Sequence, residues 1–293
     1  MGGMSSPDID IDAAGQFLAG SARVLERRRF ERLFSGGRAE YVRDSVAAYR
    51  NPDGGFGHAL EPDGRGRGSQ PLAIQFALET LDEADAWDDG LVRGALEWLE
   101  ASAPGEGGAV FVAEDTDGWP HAPWLVAEDG GRASLITTGL LAGTLHGRGV
   151  RHPWLDRATG LMWSRIGELD AGGPYDLRAV AHFLDHVPGR DRAVKAIDQL
   201  APLLTSPDVV TLDPEAPGEI HTPLDFAPRP GSLARSLFEP AVIDAHLDHL
   251  ARAQQDDGGW TFNWLAWSPV AAAEWRGAMT VGALARLRAN GRT

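Results

Sequence analysis

The stretch Gln254-Gln255-Asp256-Asp257-Gly258-Gly259-Trp260 decides how this chain is read. Glycine weakens a helix interior and readily takes the left-handed backbone that ends one, so a glycine pair marks a joint. Upstream, Ile243, Leu247 and Leu250 recur at helical spacing with Asp244 and Asp248 beside them, so an amphipathic helix runs into the joint. His246 and His249 on that helix are expected on its solvated face. Downstream, residues 270–284 are apolar nearly all round, which predicts a helix buried on most sides.

The same joint recurs toward the N-terminus. Asn51-Pro52-Asp53-Gly54-Gly55-Phe56-Gly57 follows the stripe Val42, Val46, Tyr49 of residues 38–50 and precedes the apolar run 71–81. Glu106-Gly107-Gly108 follows Val92, Leu96 and Leu99 and precedes the apolar run 133–145. Ala171-Gly172-Gly173 is a weaker fourth copy. The copies lie 53, 65 and 86 residues apart, and the widest gap leaves room for another helix pair that includes 193–204. With residues 13–34 as one further helix, the pattern predicts about ten to twelve helices. Small residues (Gly139, Gly143, Gly277, Gly282) let the buried helices approach their neighbours closely.

Half-exposed helices alternating with buried ones are what two concentric rings require, and such repeats must stack to cover their apolar faces. The expectation is an all-α chain: a flexible N-terminus over 1–12, then a single (α/α)6 toroid of paired outer and inner helices over 13–293. Residues 205–232 hold six prolines and no periodicity, which marks an insertion that could cap or plug one mouth of the ring.

Residues 254–260, followed by an apolar helix, closely resemble the QW motif of the squalene and hopene cyclases, and residues 51–57 look like a degenerate second copy. The resemblance implies membership of the squalene cyclase and prenyltransferase repeat family, whose members fold as (α/α)6 toroids. There the motif braces adjacent repeats through its glutamine and tryptophan. The family's cyclases place an acidic DxDD motif ahead of an inner helix, and its protein prenyltransferases bind zinc through Asp, Cys and His. This chain has neither the acidic motif nor any cysteine; Asp115-Thr116-Asp117-Gly118 imitates only half of the former.

Composition bounds the partners. Of 293 residues 43% are apolar, enough for one sizeable core, and the formal charge of −15 opposes nucleic acid or an anionic membrane surface. No run of about 18 apolar residues predicts a membrane span. The first residues carry Asp8, Asp10 and Asp12 rather than an apolar signal core, so the cytoplasm is the expected compartment. Without cysteine there are no disulfides and no thiolate metal sites, and no cofactor is implied.

Candidate chemistry gathers just ahead of the buried helices. His58, Glu61 and Asp63 place an imidazole and two carboxylates together, either as an acid with its partner or as a hydrogen-bonded loop. Glu274-Trp275-Arg276 sets two charges in an apolar helix, either as a cavity acid oriented by Arg276 or as an ion pair bridging to 254–260. Trp119 and Trp124 around His121, with Trp264, Trp267 and Trp275, could line an apolar site or simply fill space. Asp225, with His221, could reach the mouth from the proline-rich segment. His182 and His186 have metal-ligand spacing but no HExxH pattern, so no metal is assigned.

Three readings follow. The resemblance implies an isoprenoid or other apolar small molecule in a central aromatic-lined cavity, with Glu61, Asp63 or Glu274 as acid. A carbohydrate-active toroid would need two carboxylates roughly 5–10 Å apart in an open groove. A binding protein on the same scaffold would need no chemistry.

Overall fold

The computed structural model describes residues 9–113, 118–127 and 131–293. Among them are twelve α-helices: α1 (Ile11–Ser21), α2 (Val24–Phe34), α3 (Ala39–Ala47), α4 (Pro71–Glu83), α5 (Asp89–Ser102), α6 (Leu135–Gly147), α7 (Pro153–Gly167), α8 (Pro174–His186), α9 (Arg190–Leu204), the single turn α10 (Pro223–Phe226), α11 (Pro240–Arg252) and α12 (Pro269–Ala289). A 3-10 turn covers Leu233–Leu237. No described segment forms a strand, and none of these helices is long and apolar enough to cross a membrane.

The helix starts are written locally. Pro71, Pro153, Pro174, Pro223, Pro240 and Pro269 each open a helix, where a fixed φ helps and the missing N–H is not needed. Side chains of Asp10, Asp88, Ser134, His152 and Ser268 accept from first-turn N–H groups. Burial sorts the helices as the sequence pattern does. α6 buries every residue from Thr137 to Leu145, whereas α3 buries only Val42 and Val46. One hydrophobic core runs from Ala14 to Leu287, and a satellite of Val112, Ala122 and Leu125 lies outside it.

Residues 13–34 are two helices rather than one. Ala22 and Arg23 are extended, and the Arg23 guanidinium donates to the Ala59 and Leu60 carbonyls, at 2.9 and 3.0 Å. The first of the two helices starts two residues earlier than expected, at Ile11, where Asp10 Oδ1 accepts from Ala13 N at 2.8 Å and caps it. Residues 1–8 lie outside those described.

In three of the four glycine joints the first glycine has the same left-handed backbone, although in the second joint Gly108 is left-handed as well, at φ 75°. Gly54, Gly107 and Gly258 have φ of 92°, 91° and 89°. In the first joint Asn51 N donates to Gly55 O (2.8 Å), Gly54 N to Asn51 O (3.0 Å) and Gly55 N to Asp53 Oδ1 (3.0 Å). In the last, Gln255 N donates to Gly259 O (2.8 Å), Gly258 N to Gln255 O (2.8 Å) and Gly259 N to Asp257 Oδ1 (3.1 Å). Each joint leans on a further helix. A Cβ on Gly54 would stand 2.6 Å from Gly94 O in α5, one on Gly107 3.2 Å from Arg157 Cβ in α7, and one on Gly258 2.3 Å from Ala13 O in α1. The pair Gly172-Gly173 is no fourth copy: neither has a positive φ, and Gly173 caps α8 directly.

Trp260 is buried, its Nε1 donating to Leu250 O (2.7 Å) and its backbone N to Thr280 Oγ1 (2.9 Å). Gln254 accepts from Asp10 N (2.9 Å) and donates to Asp10 O (2.8 Å), tying the end of α11 to the start of α1. α6 packs against α4, α7 and α8; α12 packs against α1, α2 and α11. Arg29 joins α2 to α4 through Glu83 (2.5 Å), and Arg286 joins α12 to α10 through Asp225 (3.1 Å). His246 is buried rather than solvated, because the segment around Leu212 covers α11.

Candidate functional site

The loop between α3 and α4 carries the first candidates. His58 and Ala59 sit at φ of 56° and 61°, left-handed backbone that side chains resist. The strain is held by His58 N donating to Gly66 O (2.9 Å) and by Arg23 gripping the next two carbonyls. Arg23 is itself fixed by Glu26, fully buried, at 2.7 Å. The chain then turns so that Asp63 N donates to Glu61 Oε2 at 3.0 Å. Burial pushes the Glu61 carboxyl up to about 8, and the Asp63 charge adds to it; N–H groups of residues 63 and 64 and the Arg23 charge only partly oppose this.

Asp63 is buried between two indoles. Trp275 Nε1 donates to Oδ1 (2.8 Å) and Trp124 Nε1 to Oδ2 (3.1 Å). Burial raises its pKa, while the two indole donors and the Arg65 charge hold it down. The segment 120–125 is laid alongside: Ala122 N donates to Asp63 O (2.7 Å) and Arg65 N to Pro120 O (2.9 Å). Glu274, from α12, takes both of its bonds from Arg65, at 3.1 and 2.6 Å, with Arg23 4.0 Å away. Both oxygens of Asp63 and of Glu274 are therefore occupied by protein donors.

Glu61 lines a cleft of about 40 Å³ with Leu60, Leu72, Val112, Trp119, His121 and Leu125. Trp119 and Trp124 are 42% and 45% exposed at its side, and Arg67 lies 5.2 Å over the Trp119 ring. Trp264 meets Trp275 edge-on at 5.5 Å, and Trp267 packs on the Val112, Ala122 and Leu125 satellite. Glu61, Asp63, Glu274, His121 and all five candidate tryptophans thus form one neighbourhood.

Three candidates stand elsewhere. His58 is exposed, with its Nε2 2.8 Å from Asn51 Oδ1, a loop contact. Arg276 does not orient Glu274: it makes two 2.9 Å bonds to Asp257 in the last glycine joint and lies 4.5 Å over Phe17. The bridge to 254–260 is thus made by Arg276 alone. Asp225 is a helix cap, its Oδ2 accepting from Thr222 N (2.8 Å) and Oγ1 (3.0 Å), with the Arg286 charge and these donors holding its pKa low against burial. Arg23, Arg65 and the cleft-lining Gln70 are the polar residues that sequence reasoning missed; nothing local marks Arg65, whose partner is 209 residues away.

Farther along the helices, burial raises Glu79 and lowers His182 to about 3, the latter 3.1 Å from Thr144 Oγ1. Among the described residues no group of three His, Asp or Glu side chains is placed to hold a metal ion. Residues 115–117, with the half-motif, lie outside those described. No family model matches the chain, and no curated protein matches its sequence.

Proposed function

We propose that the twelve helices form a single (α/α)6 toroid, odd-numbered helices outside and even-numbered ones inside. We further propose that this cyclase- and prenyltransferase-like scaffold binds an isoprenoid or other largely apolar small molecule at the Glu61 cleft. The ring is supported by its joints. The turn into α4 rests on α5, the turn into α6 on α7, and the turn into α12 on α1, so the last joint uses the first helix as the others use the next. The Gln254 clasp on Asp10 and the contact of α12 with α2 fit the same closure.

One observation carries the ligand reading: a carboxyl pushed up to about 8 lines a cleft walled by leucine, valine and tryptophan. Near neutral pH such a group is mostly protonated and meets an apolar ligand without a charge to desolvate. As an acid it suits proton donation to oxygen, not to an isolated carbon–carbon double bond, so any chemistry under this reading falls at an oxygen function. A glycosidase would need a second free carboxylate, and Asp63 and Glu274 are both fully engaged.

The test is a tryptophan-fluorescence titration of the full chain with short isoprenols, kept below their aggregation limit, beside a matched series of oligosaccharides. A saturable response to the isoprenol that Leu125→Glu weakens at least about tenfold is expected, because the variant puts a charge into the cleft. No response to any isoprenol, or a saturable response to the sugars alone, overturns the reading.

A further inference from the structure

Three polar side chains, Glu61, Gln70 and His121, line the Glu61 cleft. Gln70 is held by the protein, its Oε1 accepting from Ala113 N at 2.8 Å, while Glu61 and His121 offer opposite halves of a hydrogen bond. His121 is fixed first through its backbone, which bridges to Gly64, and then through its ring, whose Nδ1 lies 2.8 Å from Ala122 O. A carbonyl only accepts, so Nδ1 carries the proton, and the neutral ring leaves Nε2 as an acceptor. No described residue bonds that nitrogen. Glu61 is the complement: its carboxyl accepts from Asp63 N, and in its neutral form it carries an O–H that can donate into the cleft.

We propose that the cleft selects a hydroxyl-bearing ligand, with the Glu61 carboxyl donating to the hydroxyl oxygen and His121 Nε2 accepting the hydroxyl proton. This rests on the cleft being a ligand site and adds the chemistry of the head group. Among oxygen head groups that are neutral near pH 7, only a hydroxyl both accepts and donates. An ether or a ketone would leave His121 unfilled, and a cleft built to pair a hydroxyl rejects analogues that lack it. Size agrees: the cleft, of about 40 Å³, is small enough to suit a compact head group. The rest of the molecule would leave past Trp119, whose ring is 42% exposed.

The experiment compares geraniol with geranyl methyl ether on the full-length protein by the same fluorescence titration. The wild type is expected to bind the alcohol about tenfold or more tightly than the ether. In His121→Leu that preference should collapse to within about twofold. Equal binding of alcohol and ether by the wild type overturns the hydroxyl assignment while leaving the cleft a ligand site, and this arm needs no variant to fold. A preference that survives in folded His121→Leu overturns it too. Binding of neither compound takes away the ligand reading beneath it.

Discussion

Exchanging Glu61 for glutamine should make the protein more stable, and more so as pH rises. The folded carboxyl titrates at about 8 against an ordinary 4.5, so the folded state keeps a proton that the unfolded chain gives up. Its contribution is fully present below pH 4.5 and is lost as pH climbs through about 8. At about 1.4 kcal/mol per pH unit, that interval sets a ceiling near ~5 kcal/mol. The side chain is partly exposed, and solvent relaxation brings the expected effect to about 2–4 kcal/mol at about pH 9. The amide of Glu61→Gln would keep an oxygen for Asp63 N, now 3.0 Å from Glu61 Oε2, and would give up only the weaker approach of Gly64 N along with the titration. The charged groups facing Glu61 are Asp63 and Arg23, and they remain in both proteins. Urea unfolding followed by helical circular dichroism, at about pH 5 and about pH 9, reads the difference. A gap between the two proteins that is the same at both pH values, or a variant less stable at the higher one, would refute the buried neutral carboxyl.

Gly258→Ala should cost about 3 kcal/mol or more, because φ is 89° and the new Cβ would stand 2.3 Å from Ala13 O, a backbone atom. Gly282, unlike Gly139, Gly143 and Gly277, is not at a close helix approach: a Cβ there meets nothing within 4 Å, so Gly282→Ala should gain about 0.5–1 kcal/mol and thermal melts of the two variants must shift in opposite directions. Trp275→Phe removes the 2.8 Å donor from buried Asp63 and should cost about 1–3 kcal/mol. That loss should show in urea midpoints at pH 7 and shrink toward about pH 3, since the donor stabilises the charged carboxylate.

How much of this could be read from the sequence follows the range of each interaction. The apolar runs of α4, α6 and α12 and the positive φ of Gly54 and Gly258 are local properties, and the sequence displays them. The break at Ala22-Arg23 carries no glycine or proline to mark it, and the contacts that accompany it, to carbonyls 36 and 37 residues downstream, are not local. Gly172-Gly173 misled for the opposite reason: a repeated dipeptide need not repeat its backbone. At the site, the residue types were legible at Glu61, Asp63 and the tryptophans. Their partnerships were not, since Asp63 meets Trp275 across 212 residues of chain. Arg276 looked like the natural partner of Glu274, two positions away. On a helix such neighbours face different ways, and each charge found its counterpart on another segment.

The clasp of Gln254 on Asp10, with Gly259 seated against Phe17, also orders events in time. During synthesis the first helix leaves the ribosome while the surface that receives it, 244 residues later, has not yet been made. Ala14, Phe17 and Leu18 must wait with their apolar face uncovered, and closing so long a loop comes late in folding. A chain cut short before residue 254 would strand its own beginning, so damage at one terminus is felt as unfolding and aggregation at the other.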